Sequence, residues 1–107
     1  MKRKGTAGEN ELVDILKSYQ IRAYRNDQIF RGGIGNPDVY AEIADESMHI
    51  EVKRVEKLNV TEAMKKTMRD AKPGALPVLI HRRNREKWLV TIPLYYLLQF
   101  LRKKEVI

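Results

Sequence analysis

The chain contains no cysteine, which excludes a disulfide framework, a thiolate metal site and a cysteine nucleophile. Histidine is almost as scarce, with two residues, too few for a multi-histidine zinc centre. Any metal must then be held by oxygen, which points to Mg²⁺, Mn²⁺ or Ca²⁺. No apolar run approaches the roughly 18–20 residues that cross a bilayer. No apolar core follows the basic start Met1-Lys2-Arg3-Lys4-Gly5, so a signal peptide is not expected. These absences imply a cytoplasmic protein with no membrane partner. There is no internal repeat, low-complexity tract or linker. What is present is charge: 107 residues carry 21 Lys+Arg against 14 Asp+Glu, a net charge of +7. The length suits one domain spanning residues 1–107. The surplus suits an anionic partner, of which nucleic acid is the commonest.

Hydrophobic periodicity predicts eight elements. Residues 1–7 read as a loose basic arm. Leu12, Val13, Ile15, Leu16 and Tyr19 make one face of a helix over 8–19, with Thr6 as N-cap and Glu9 completing a capping box. Residues 21–25 alternate as a short strand, and the stretch 26–37, holding Gly32, Gly33, Gly35 and Pro37, reads as a loop. Residues 38–44 and 48–54 alternate as a hairpin around Asp45-Glu46-Ser47. Asn59, with Glu62 three residues on, caps a helix to about Ala71, ended by Lys72-Pro73-Gly74. Strands follow at 76–82 and 87–92. Pro93 opens a last helix with Leu94, Leu97, Leu98 and Leu101 on one face. The order α-β-β-β-α-β-β-α is α/β, a mixed central sheet flanked by helices.

The hairpin carries the chemistry. With the turn centred between Asp45 and Glu46, opposed residue numbers sum to 91. Val39 then faces Val52, Ala41 faces Ile50 and Ile43 faces Met48, an entirely apolar set that burial selects over a one-residue slip. The other face pairs Asp38 with Lys53, Tyr40 with Glu51 and Glu42 with His49. Glu51 is then diagonal to Asp38, at roughly 7–8 Å between Cα atoms. Two carboxylates there suit one oxygen-ligated cation, with the Lys53 ammonium beside it. A divalent cation neutralises a phosphodiester and acidifies a bound water. Mg²⁺ asks for only one or two protein carboxylates, and an ammonium stabilises the charge that develops on phosphorus. An isolated acid-x-Lys triplet is usually a solvated strand face. The combination with Pro37-Asp38, thirteen residues upstream of Glu51, and with a basic chain is more specific.

Pro37-Asp38 followed by Glu51-Val52-Lys53 resembles the PD-(D/E)xK nuclease motif. The opening Arg3-Lys4-Gly5-Thr6-Ala7-Gly8-Glu9, leading into an amphipathic helix, is similar to the start of archaeal Holliday-junction resolvases. Small stand-alone phage nucleases share the layout, which leaves a phage or prophage source open beside a cellular one. The resemblance covers about residues 3 to 92. It implies a restriction-endonuclease-like core, Mg²⁺ (with Mn²⁺ substituting) held by Asp38, Glu51, the carbonyl of Val52 and Glu9, and Lys53 acting on the attacking water. It also implies a homodimer that cuts branched DNA to leave a 5′-phosphate. The chain departs from the resolvase pattern in one respect. No Gln follows in the second helix, where Ala63-Met64-Lys65-Lys66 stand.

Four basic clusters supply candidate phosphate contacts. The residues singled out are Lys2, Arg3, Lys4, Arg31, Lys65, Lys66, Arg82, Arg83 and Arg85. His49 and His81 read as ordinary strand residues, although His49 shares the acidic face. Tyr95, Tyr96 and Phe100 read as packing, with a dimer contact as a further role. The function expected is a divalent-metal-dependent endodeoxyribonuclease acting on branched DNA. The alternatives are the same chemistry on ends, flaps or a specific sequence, and a non-catalytic DNA-binding accessory protein.

Overall fold

The computed structural model describes residues 4–26 and 35–107. Its elements are α1 (Lys4–Ser18), β1 (Arg22–Arg25), β2 (Val39–Ile43), β3 (Glu46–Arg54), α2 (Val60–Asp70), β4 (Leu76–Arg82), β5 (Leu89–Thr91) and α3 (Leu94–Lys103). The α/β order expected from periodicity is the order observed. The five strands form one sheet in the order β1-β2-β3-β4-β5. Only β3 and β4 run parallel, because α2 supplies the crossover that a parallel pair requires.

The β2–β3 register differs from the expected one by two residues. Val39 pairs with Ile50, Tyr40 with His49, Ala41 with Met48 and Ile43 with Glu46, so paired numbers sum to 89. The cause is the turn. Ala44 (φ 51°) and Asp45 (φ 65°) both adopt the left-handed conformation that a two-residue type I′ hairpin needs. Burial excludes odd slips, because they turn a strand over, but it is silent on even ones. An even shift keeps every side chain on its predicted face. The ladder ends at Val39↔Ile50. Just before it the Asp38 N–H also turns to the Ile50 carbonyl, and the Asp38 and Glu51 carboxyls come within hydrogen-bonding reach of each other.

The two sheet faces are filled differently. On one, Val39, Ala41, Met48, Ile50, Val52, Val78 and Ile80 pack with Leu12 and Val13 of α1 and Ala23 of β1, and Phe100 of α3 closes over them. On the other, α2 packs on β3 and β4, and Met64, Thr67 and Leu79 are buried. Being covered on both sides explains why β3 is buried continuously from Met48 to Val52.

Two helix details depart from expectation. Helix α1 begins at Lys4, so Thr6 lies inside it and forms no capping box; Glu9 is buried in the helix body at 6% exposure. Ile15 and Tyr19, assigned to the apolar face, are exposed. In α3 no residue is fully buried, and Leu94 and Leu98 face solvent with Tyr95. Asn59 does cap α2, its side chain accepting from the Glu62 N–H at 3.1 Å. No helix among the described residues is long and apolar enough to cross a membrane.

Candidate active site

Asp38 is fixed by backbone before its side chain does anything. Its N–H donates to the Ile50 carbonyl at 3.0 Å, and its carbonyl accepts from the Asn26 N–H at 3.0 Å. Asn26, 1% exposed, also donates its side-chain amide to the Pro37 carbonyl at 3.1 Å. The Asn26 bond extends the β1–β2 ladder one residue beyond β2, and together these bonds lock the direction in which the Asp38 carboxyl leaves the strand. That carboxyl accepts from the Val52 N–H at 2.9 Å through Oδ2.

Glu51 sits in the middle of β3, 4% exposed. Its Oε1 lies 3.3 Å from His49 Nε2 and 3.9 Å from Lys66 Nζ. Lys66 is held in turn by Asp70, one helical turn on, at 3.2 Å. Burial, and then the charge of Glu51, push the Asp38 carboxyl up to about 7; the Val52 N–H opposes the rise and the charge of Glu9 adds to it. Burial acts on Glu51 in the same sense. There, hydrogen bonds from His49 and Asp38 and the charge of Lys66 outweigh it and hold Glu51 below the usual carboxylate value. The pair therefore keeps one proton close to neutral pH, on Asp38, while Glu51 carries the charge. For Lys66, desolvation is outweighed by Glu51 and Asp70, which hold its pKa above the ordinary value.

Glu9 comes within electrostatic reach of Asp38, and its own Oε1 accepts from Arg25 Nε at 3.1 Å. Among the described residues no three His, Asp or Glu side chains form a metal-ligand cluster. The site is a carboxylate pair with Glu9 at its margin. Such a pair fits a hard divalent ion on its donor chemistry: both groups are oxygen ligands, and Mg²⁺ takes one or two carboxylates and fills its other positions with water and phosphate. The raised Asp38 pKa marks negative charge that a cation would offset.

Lys53 lies on the Glu51 face by strand alternation, half-buried, in register with His81. It makes no ion pair with a described residue. Lys66, weighed from sequence only as a phosphate contact, is the ammonium that touches the acidic pair. His49, read as an ordinary strand residue, is 2% exposed and bound to Glu51. Its shared face with Glu51, two residues on in the same strand, was visible in the alternation; the hydrogen bond between them was not.

The basic residues divide into distinct settings. Lys2, Arg3 and Arg31 lie outside the described residues, as does most of the glycine-rich loop; Lys4 opens α1. Lys65 is exposed on α2 beside Glu62 at 3.5 Å. Arg82 is not a free surface cation. Its Nε and Nη2 both reach Glu11 at 2.9 Å, and its guanidinium lies 5.2 Å from the Trp88 ring centre. Arg83 and Arg85 are exposed in the β4–β5 connection. With Lys87 they line a groove of about 700 Å³ that also includes His81 and Leu58. His81 bonds Thr91 Oγ1 at 2.9 Å, and burial lowers its pKa, which suits a neutral structural imidazole.

No protein-family model matches the chain, and no curated protein matches it significantly. Its fold is similar to a solved structure of Archaeoglobus fulgidus Hjc, a Holliday junction resolvase from an archaeal hyperthermophile. That likeness has a TM-score of 0.61 and 24% sequence identity, and it covers 84% of this chain and 73% of the other.

Proposed function

We propose that the chain is a divalent-metal-dependent endodeoxyribonuclease that hydrolyses phosphodiester bonds in branched DNA, four-way junctions first. The observation that carries this reading is the carboxylate pair. The Asp38 and Glu51 carboxyls meet from neighbouring strands, and Asp38 is held partly protonated near neutral pH. Two acids placed so close are costly to the fold and would weaken plain phosphate binding. A cation bound between them, Mg²⁺ or Mn²⁺, would neutralise the scissile phosphate and acidify a water.

The chain's own residues hold and orient that centre. Asp38 and Glu51 supply the ligand oxygens, with the Val52 carbonyl as a further donor and Glu9 at the margin. The Val52 N–H keeps Asp38 in place, and His49 and Lys66 do the same for Glu51. Lys53 and Lys66 bring positive charge to the phosphate as negative charge builds on it. Arg83 and Arg85, together with Lys65, hold flanking phosphates. A two-armed substrate suits a homodimer, and the exposed Leu89, Val90, Leu94 and Tyr95 of β5 and α3 offer an apolar face to a second copy.

Purified protein with Mg²⁺ or Mn²⁺ is expected to nick a synthetic four-way junction faster than linear duplex of the same sequence. Glu51→Gln is expected to slow cleavage by about three orders of magnitude. Lys53→Ala and Lys66→Ala, tested separately, apportion the ammonium role. Cleavage of the junction at the wild-type rate by Glu51→Gln would remove the mechanism. Equal cutting of the linear duplex would remove the branch preference and leave the chemistry.

A further inference from the structure

The half of the acidic sheet face that α2 leaves uncovered holds two aromatic rings. Tyr24 of β1 pairs with Tyr40 of β2, and their rings stack with centroids 5.0 Å apart and planes 26° from parallel. Tyr40 is in register with His49 of β3. It lies two residues from Asp38 on the same face, about 7 Å along the strand. Helix α1 packs on β1 and β3, and α2 on β3 and β4. Because α1 occupies the opposite face, neither helix covers the ring pair, and Tyr24 is 55% exposed.

A groove of about 340 Å³ adjoins the pair, lined by Gly35, Pro37, Tyr40, His49, Lys72 and Pro73 among others. Gly35 takes φ +79°, and a Cβ there would come within 2.5 Å of Lys72 Cε. The glycine thus lets the Lys72 side chain lie against the groove. One wall is aromatic and another carries an aliphatic stem ending in an ammonium, and the groove ends at His49, the partner of Glu51.

We propose that Tyr24, Tyr40 and this groove form a subsite for one unstacked nucleobase, next to the phosphate that a cation on Asp38 and Glu51 would hold. This rests on the nuclease reading above and adds to it the feature of the DNA that is recognised. A base offers a flat π-face whatever its identity, so stacking on a ring pair is strong and tolerant of sequence. The spacing fits too, since about 7 Å of strand separates ring from carboxylate and a neighbouring nucleotide must cover a similar span. Lys72 brings positive charge to the groove, while Arg22, exposed beside the pair, is matched by Glu42 at 3.7 Å. Bases at a branch point lack one stacking neighbour and leave the helix at lower cost than bases inside a duplex. The subsite therefore selects branched over linear DNA by reading exposure of a base, with no sequence code.

The test uses full-length Glu51→Gln protein, which keeps DNA intact, and a four-way junction with 5-iodouracil at the branch point or in the middle of one arm. Ultraviolet irradiation is expected to crosslink the branch-point base to Tyr24 or Tyr40, identified by peptide mass, with much less crosslinking from the arm. In otherwise wild-type protein, Tyr24→Leu is expected to raise KM for the junction about tenfold, leave affinity for linear duplex unchanged, and be rescued by Tyr24→Phe. A cross-strand pair that only stabilises the sheet would lower the melting temperature in Tyr24→Leu without changing KM, and that result overturns the subsite. Junction binding with crosslinks only elsewhere also overturns it while sparing the nuclease reading. No binding of any DNA overturns both.

Discussion

Replacing Asp38 with asparagine is expected to abolish cleavage and, in metal-free protein at neutral pH, to raise the melting temperature by at least about 5 °C. The two effects share one cause. Ionising Asp38 next to Glu51 opposes folding, because burial and the neighbouring charge lift its pKa from the ordinary 3.8 to about 7. A carboxyl whose pKa rises on folding costs nothing well below its unfolded value, where both states are protonated. The cost grows as pH climbs from about 4 to about 7 and is constant above, reaching at most about 4 kcal/mol. Asparagine avoids it while keeping the local bonds. Its side-chain oxygen can accept from the Val52 N–H, as Asp38 Oδ2 does at 2.9 Å, and its amide can donate towards Glu51. The difference in melting temperature between variant and wild type should therefore open between about pH 4 and 7 and then level off. Mg²⁺ should stabilise only the wild type, by mass action on the folded state. A variant that melts at or below the wild-type temperature across this range would show that the acids do not strain the fold.

The largest loss of stability is expected from Glu11→Ala. This side chain accepts from Arg82 Nε and Nη2 at 2.9 Å and from Trp88 Nε1 at 2.8 Å, and lies 3.7 Å from Arg54 Nη1. Arg82, first through its hydrogen bond, holds the Glu11 carboxylate below its ordinary value against the opposing effect of burial. Without the carboxylate, two guanidinium groups and an indole N–H face one another, and Arg54 Nε already lacks a partner among the described residues. Stranding them at this partly solvated site is expected to cost about 2 kcal/mol. The helix has little room to settle differently: a Cβ at Gly8 would lie 3.1 Å from Arg54 Cβ. Chemical denaturation, followed by the emission of Trp88, the sole tryptophan, measures the loss. A cost under about 0.5 kcal/mol would place the cluster with ordinary solvated surface pairs. Because Glu11 joins α1 to β3 and β4, the same variant should also loosen Glu9 beside the acidic pair.

Alternation alone placed Asp38, Glu51, Lys53 and His49 on one sheet face, because side chains change sides at every residue of a strand. It did not fix which of them touch. That depended on a turn through Ala44 and Asp45, and alanine gives no signal for a left-handed conformation. The start of α1 was hidden for a related reason: Thr6 and Glu9 have capping-box spacing whether or not the helix begins between them. The Glu11 network joins residues 71 and 77 positions apart, a separation about which local periodicity carries no information. Lys66 reaches Glu51 only because α2 docks over β3 and β4. The leucines of α3 repeat with helical spacing, yet Leu94 and Leu98 stay exposed. Periodicity identifies a face and leaves open whether the same chain covers it.

The central claim is that Asp38 and Glu51 act as one cation site sharing a proton. Titrating Mn²⁺ into the wild type by calorimetry, at about pH 6 and about pH 8.5 in buffers of different ionisation heat, tests it most directly. One ion should bind with release of nearly one proton at the lower pH and almost none at the higher, and Glu51→Gln should weaken binding at least about tenfold. Binding that releases no proton at either pH, or that is equally tight in Glu51→Gln, would contradict it.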